Sequence, residues 1–418
     1  MNNGTMENIK KEKKHSLPKG WEIKKLGEVA NVGSGNSAPQ NKKLFENGIF
    51  PFFRTSDVGQ IRKGFIGTSV NYLNENGIKS LKLFQKGTIL LPKSGASTFL
   101  NHRVMMLVDG YVSSHLATIK AMSKIVDDKF LLYYLITIDA KDLIQNIAYP
   151  SLKISEIELI PIPLPPLSEQ RRIVSILDKC FSAIEQSRNN AEQNLKNAKE
   201  IFESYLKGVF ENKDENWEER KVKEIGNAQT GTTPKTAEKE NYGDFIPFIK
   251  PADVDFSGIG DIRYDNEGLS EIGLKKGRKM EKNSILMVCI GATIGKVGYA
   301  ERDISCNQQI NSLTVKKEFV PKFFYYAMTS KEFQDKVLLE GKGAQATLPI
   351  INKTKWENLK ISFPKSKEEQ QAIVYKLDTL RIETQKLESI YQKKILLLEE
   401  LKKSILQKAF NGELIMDN

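Results

Sequence analysis

Arg, Lys, His, Asn and Gln side chains can bond the base edges and phosphates of a nucleic acid. In this chain such residues sit in loops that recur about 196 residues apart. Arg54 follows the run FPFF, and Lys250 follows IPFI. PKSGAS, with Lys93 and Ser94, follows GTILL, and CIGATIGK, ending at Lys296, follows NSILMV. SSHLAT, with Ser114 and His115, aligns with NQQINS, with Asn307, Gln308 and Gln309. AYPSLK, with Tyr149 and Lys153, aligns with AQATLP, with Gln345 and Thr347. NHR, with His102 and Arg103, has no basic counterpart in the second copy, as expected if the two copies read different sequences. These residues can also serve structure. Arg54 and Lys250 can pair with Asp57 and Asp253, and His115 and Gln309 can satisfy a buried turn.

Residue types for bond-breaking chemistry are sparse. Three histidines and three cysteines, with no CxxC pair, argue against a metal cluster and a disulfide framework. GATIGKVG has three residues between its first two glycines and Val after Lys, where a phosphate-cradling P-loop needs four and then Ser or Thr. FSGIG, at 256–260, fits a methyltransferase cofactor loop only in outline, because turn-like DIRYDNEG follows it instead of a helix. No NPPY or DPPY occurs. GSGNSA, at 33–38, reads as an isolated glycine-rich turn. We therefore expect no catalytic, metal or cofactor residues in this chain.

The loops hang on a duplicated framework. WEIKKLGEVANVGSG starts at Trp21 and WEERKVKEIGNAQTG at Trp217, a shift of 196. PLPPLSEQRRIVSILD and PKSKEEQQAIVYKLD then align at a shift of 200, pairing Gln170 with Gln370 and Asp178 with Asp378. Each copy reads as a mixed α/β globular part followed by a long helix. GTILLP and NSILMVCI suit buried strands, and KFLLYYLITIDAKDLIQNI and KFFYYAMTSKEFQDKVLL suit helices. Both tryptophans are expected in cores.

The helices should start after Pro165-Pro166 and Pro364, with Ser168 and Ser366 as N-caps, and run about 40 residues each. Their apolar stripes have heptad spacing: Ile173, Leu177, Cys180, Ile184, Ala191, Leu195, Ala198, Phe202, Tyr205 and Val209 in one, and Ile373, Leu377, Leu380, Leu387, Tyr391, Ile395 and Leu398 in the other. Both show a stutter at the same place, as expected if the helices pack on each other in an antiparallel coiled coil. That arrangement makes a pseudo-twofold α+β molecule with the two globular parts at opposite ends of a rod. The expected boundaries are a tail over 1–16, globular parts over 17–166 and 213–364, and helices over 167–212 and 365–418.

The chain is 40% hydrophobic, carries a net charge of +11, and has neither a signal-peptide apolar region nor an apolar run long enough for a membrane span. A cytoplasmic protein with a polyanionic partner fits these values.

LPKGWEIKKLGEVA, IPLPPLSEQRRIVSILD and LKKSILQKAFNGEL resemble the specificity (S) subunit of Type I restriction–modification enzymes, and the likeness covers nearly the whole chain. The second helix start departs from the family pattern, with PKSKEEQ in place of PPLSEQ. The resemblance implies that each globular part is a target recognition domain reading one half of a split double-stranded DNA target. The helices would bind two modification (M) subunits carrying S-adenosylmethionine. Restriction (R) subunits would add ATP- and Mg-dependent translocation and cleavage. Alternatives are a specificity subunit of a related two-subunit enzyme outside Type I, a fused endonuclease–methyltransferase, and a coiled-coil scaffold with no DNA role. The missing NPPY motif and the short length oppose the fused enzyme. The diverged loops and basic charge oppose the scaffold.

Overall fold

The computed structural model describes residues 17–144, 150–255, 260–341 and 349–414. It divides into two compact units, residues 1–191 with 393–418, and residues 192–392. In the first, five strands form a sheet in the order Ala30–Ser34, Leu116–Ala121, Ile89–Pro92, Arg103–Met106 and Lys63–Ile66. All neighbours are antiparallel except the last pair. Ile89–Pro92 is central and buried throughout, which explains why its sequence is continuously apolar rather than alternating. Beside it Tyr72–Leu73, Phe50–Phe53 and Tyr111–Val112 make a smaller sheet, and Glu22–Lys25 pairs with Pro161–Leu164 at the base of the long helix.

The second unit repeats the plan. Its larger sheet runs Gly226–Thr230, Ile310–Val315, Ile285–Val288 and Val297–Tyr299, all antiparallel. Its smaller sheet runs Gly268–Leu269, Tyr242–Ile249, Ile304–Cys306 and Lys279–Met280, and Trp217–Lys221 pairs with Lys360–Pro364. Among the described residues this larger sheet has no strand matching Lys63–Ile66.

The two runs expected as single helices each break. The first is helical over Asp128–Thr137 and resumes as one 3-10 turn, Ala140–Asp142. Between them Asp139 is extended, and its carboxylate accepts from the Lys141 amide at 3.0 Å. The second breaks at Ser330 between Pro321–Thr329 and Lys331–Gly341. The Ser330 hydroxyl donates to the Ala327 carbonyl at 2.6 Å and accepts from the Phe333 amide at 3.4 Å. Short polar side chains bond their local backbone in this way in preference to continuing a helix.

The long helices are Leu167–Glu211 and Lys367–Phe410, of 45 and 44 residues. Ser366 is the N-cap of the second, accepting from the Glu369 amide at 3.2 Å. Ser168 is not a cap. The first helix starts one residue before it, and Gln170 N–H bonds the Pro166 carbonyl at 3.0 Å. Two stripe positions also differ from expectation. Tyr205 is exposed, and Leu206 and Phe210 pack inward instead. Leu387 is exposed, while Thr384 is buried, its hydroxyl donating to the Arg381 carbonyl at 3.0 Å. An internally bonded threonine can occupy a seam that a hydropathy pattern would refuse it.

Within each unit the start of one long helix lies along the end of the other, antiparallel. In the first unit Arg172 donates to the Leu414 carbonyl and Lys402 stacks over Phe181, so one residue number falls as the other rises. Both helix starts also belong to the globular cores. Leu177, fully buried, shares a cluster with Phe130, Tyr134, Leu406 and Phe410, and Leu377 shares one with Phe323, Tyr326 and Phe210. Helix-on-helix and helix-on-domain packing are thus one core in each unit. Trp21 is buried in the first core, and Trp217 packs against the second beside Phe210 and Phe323.

The recurring Glu-Gln helix start owes its use to two buried anchors. Gln170 accepts from the Asp127 amide at 2.8 Å and donates to the carbonyls of Ile125 and Pro165 at 3.0 and 2.8 Å. Gln370 accepts from the Val320 amide at 3.0 Å and donates to the Pro364 carbonyl at 2.9 Å. Two turns on, Asp178 accepts from Tyr133 Oη and Lys129 Nζ at 2.5 and 2.7 Å, and Asp378 from Tyr326 Oη and Lys322 Nζ at 2.5 and 2.9 Å. Burial and these carboxylates push both tyrosine hydroxyls well above their ordinary pKa, so they remain donors.

Candidate nucleic-acid interface

Three loops that are distant in sequence meet in each unit, and the same backbone hydrogen bonds hold them. In the first unit Lys93 N–H donates to the His115 carbonyl at 3.0 Å, Leu152 N–H to the Lys93 carbonyl at 2.8 Å, and Gly95 N–H to the Pro150 carbonyl at 3.0 Å. In the second, Cys289 N–H donates to the Gln309 carbonyl at 2.8 Å, Ile351 N–H to the Cys289 carbonyl at 2.9 Å, and Gly291 N–H to the Pro349 carbonyl at 3.1 Å. The loops that recur at matched places in the sequence are thus brought together in each unit.

A fourth segment joins it. Gly35 N–H donates to the Leu116 carbonyl and Gly231 N–H to the Ile310 carbonyl. A Cβ on Gly35 would lie 2.2 Å from the Ser113 carbonyl oxygen, and one on Gly231 2.2 Å from that of Asn307, so only glycine fits. The turn GSGN is therefore part of the site and not an isolated feature. The signal was in the sequence, since Gly35 and Gly231 also stand 196 apart.

The frame displays different side chains in the two units. His115 is exposed, and its Nδ1 lies 2.9 Å from Ser94 Oγ. Ser114 is half-buried, with its amide on the Asn36 carbonyl. Lys93 is half-buried and Lys153 exposed, the latter preceding the helix Ile154–Glu158. In the second unit Gln308 is exposed and bonded to Thr233 Oγ1, a residue that sequence reasoning missed. Gln309 is half-buried. Asn307, only 7% exposed, does not reach the surface. Its Oδ1 accepts from the Gln309 amide at 3.1 Å and its Nδ2 donates to Gln309 Oε1 at 3.0 Å, so it positions Gln309. Tyr149, Gln345, Thr347 and most of the FSGIG loop lie outside the described residues.

Arg54 and Lys250 do follow the matched strands, but Asp57 and Asp253 serve their backbones. Asp57 accepts from the Arg54 amide at 2.7 Å, and Asp253 from the Lys250 amide at 3.0 Å, each closing the first turn of a short helix. The Arg54 guanidinium instead stacks on Phe45 and Phe52, 5.4 Å from each centroid. Lys250 ion-pairs with Glu267. Lys296 Nζ reaches the Val254 carbonyl at 3.4 Å.

Arg103 does not reach a groove edge, contrary to its place among the expected base readers. It is 1% exposed, with Nη1 on the His102 carbonyl at 2.8 Å and Nε and Nη2 buried without partners. Burial lowers its pKa to about 10, so it stays charged at neutral pH but offers no edge to a base. His102 is half-buried, and desolvation with Arg62, Arg103 and Lys63 nearby holds its pKa below the ordinary value. Among the described residues no group of three or more His, Cys, Asp or Glu is placed to hold a metal, and no helix is long and apolar enough to cross a membrane. Burial pushes the Cys289 and Cys306 thiols up to about 12, which leaves both protonated and poor nucleophiles.

The chain is similar over its length to proteins of one kind. The MjaVIII type I restriction enzyme specificity subunit of Methanocaldococcus jannaschii is 26% identical, over 99% of this chain and 97% of that protein. The HsdS subunit from Thermoanaerobacter tengcongensis has the same fold, with a TM-score of 0.64 at 20% identity over 96% of this chain and 100% of its own. A chain from a type I R-M system, solved for its complex assembly and conformational transition, gives 0.74 at 21% identity over the same shares. The family model of the type I restriction modification DNA specificity domain matches twice, over 18–193 and 214–396, which are the two repeats with much of their long helices. The chain therefore belongs to this family and is a specificity subunit, the sequence-specific DNA-recognition component of a type I restriction–modification system.

Proposed function

We propose that each unit reads one half of a split, asymmetric target in double-stranded DNA through its own three-loop frame. The matched backbone bonds around unmatched side chains carry this reading. A common scaffold presents Ser114 and His115 to one half-site, and Gln308 and Gln309 to the other. Glutamine can bond adenine in two places at once, and histidine can bond a base or a phosphate.

The chain contributes recognition and no chemistry of its own. Methyl transfer falls to two modification subunits that bring S-adenosylmethionine and dock on the long helices. Translocation and cleavage fall to restriction subunits using ATP and Mg. The assembly works in the cytoplasm, where its DNA is. The purified chain with S-adenosylmethionine should methylate nothing, and the chain with modification subunits should methylate adenine at a two-part, non-palindromic site. Gln309→Ala should relax one half of the methylated motif by about 1–3 kcal/mol and leave the other half intact. A contiguous palindrome, or a motif altered in both halves, would refute the two-reader model.

A further inference from the structure

The first unit carries a concentration of positive charge that the base-reading frame does not use. Parallel pairing of Lys63–Ile66 with Arg103–Met106 puts Lys63 directly beside Arg103. Arg103 N–H bonds the Arg62 carbonyl at 2.8 Å, and Arg62 itself is held at a φ of 67°. His102 lies against the Gly59 turn that leads into Arg62. Partial burial lowers the Lys63 pKa, and the charges of Lys403, Arg103 and Lys402, the first and last of them on the second long helix, lower it further. Asp139 is the carboxylate that acts on Lys63 and Arg103, and it is already engaged by Asn101 Nδ2 at 2.8 Å and by the Lys141 amide. Arg62, Lys63 and Lys403 are exposed, while His102 and Lys402 are half-buried.

Like charges gathered around a buried, under-bonded guanidinium destabilise the fold unless an anion joins them. We infer that Arg62, Lys63, Arg103, Lys402 and Lys403 form a phosphate site that grips the DNA backbone beside the half-site read by the first unit. Arg103 supplies the fixed buried charge, and Lys63 and Lys403 reach the phosphates from the surface. Continuity with the reading frame argues for DNA. The 3-10 turn Ala96–Leu100 runs directly from Gly95, bonded to Pro150 in the frame, to Asn101 and His102. Among the described residues the second unit lacks the feature. Its strand Val297–Tyr299 matches Arg103–Met106, and the segment packed against Gly298 contains Ile262, preceded by Asp261, which pairs with Arg381 at 3.1 Å. Opposite charges there neutralise each other where the first unit accumulates one sign.

The inference rests on the DNA-reading assignment, so its test uses the assembled methyltransferase complex. Lys63→Gln/Lys403→Gln should flatten the log–log salt dependence of target binding by about 0.9 for each phosphate that is no longer neutralised, without altering the methylated motif. Duplexes with single uncharged methylphosphonate linkages locate the gripped phosphates. Wild type should lose affinity for linkages on one flank only, and the double variant should be indifferent to the same linkages. If inorganic phosphate is the true ligand, millimolar phosphate will stabilise the wild type and not the variant against heat while both respond alike to every linkage, which overturns the DNA assignment. An unchanged salt slope with normal linkage responses, or a variant that fails only to bind modification subunits, also overturns it. Absence of any sequence-specific methylation by the wild-type assembly would instead defeat the underlying two-reader proposal.

Discussion

The two units agree most where they are buried and least where they face outward. Their frames share three interloop backbone bonds, their helix starts share a glutamine and an aspartate anchor, and their central strands are buried throughout. Exposed positions on those frames differ in size, charge and hydrogen-bonding capacity. Among the described residues the first unit adds a strand and a gathering of lysines and arginines, whereas the second adds local ion pairs such as Lys250–Glu267 and Arg381–Asp261. Backbone bonds are indifferent to most side-chain identities, so a frame built from them can hold loops of varied sequence in one geometry, provided the closely packed Gly35 and Gly231 are kept. That separation of scaffold from reader is what a subunit needs if its target is to change without refolding.

The largest effects should come from the shared interior. Leu177→Asp and Leu377→Asp each put a carboxylate into a fully buried site. Truncating the leucine alone costs about 2–5 kcal/mol, and an unpaired charge adds several more. Because the helix start is part of the globular core, each change should melt its own unit. Hydrogen exchange should show protection lost over residues 128–137 for the first and 321–329 for the second. Equal loss in both units from either single change would break the description of two separate cores.

The glutamine anchors sharpen the comparison, because they are similar without being equal. Gln170 makes three bonds and Gln370 makes two. Each orphaned buried partner costs about 1–3 kcal/mol. Gln170→Ala should therefore cost more than Gln370→Ala, by about 1 kcal/mol in urea unfolding. An equal cost would show that the additional bond to Ile125 contributes nothing.

Reader positions come next. His115→Ala should change the half-site opposite to the one altered by Gln309→Ala, by about 1 kcal/mol, the value of a single hydrogen bond. A methylation-motif logo from each variant is the measurement. Two logos that change in the same half would collapse the two readers into one.

Much of this was legible in the sequence because duplication makes a chain its own comparison. The shifts of 196 and 200 located the strands, the loops and the helix starts. They did not reveal direction. Arg103 looked like an exposed reader because it is charged and lies in NHR, yet strand pairing turns it inward. Asn307 looked like a base reader because its neighbours do, yet its side chain turns into the interior to brace Gln309. Asp57 and Asp253 were weighed as possible ion-pair partners from their charge, whereas the donors they take are the Arg54 and Lys250 backbone amides. Thr384 was passed over because hydropathy does not record a bond from a hydroxyl to its own helix. Side-chain direction and local backbone satisfaction are three-dimensional properties, and spacing alone does not carry them.

The smallest expected effect tests an exchange between the long helices. In the first unit position 181 is Phe, edge-on to Tyr133 at 5.3 Å, and position 402 is Lys, 4.9 Å over that Phe ring. Two hundred residues on, position 381 is Arg, and the counterpart of 402 is Phe202, tilted on Tyr326 at 6.2 Å. Each unit thus supplies one aromatic and one cation around the tyrosine that anchors its helix, with the two roles traded between helices. Phe181→Arg should set two cations against each other and remove the edge-on ring packing, costing about 1–2 kcal/mol. Adding Lys402→Phe should restore about 0.5–1 kcal/mol of that loss, read as the coupling in a double-mutant cycle. Recovery should be incomplete. Arg381 also bonds Tyr325 Oη at 3.0 Å and Asp261, and the first unit has Leu132 where the second has Tyr325. Strictly additive losses would show that the two positions do not communicate, and that the exchange is a coincidence of composition.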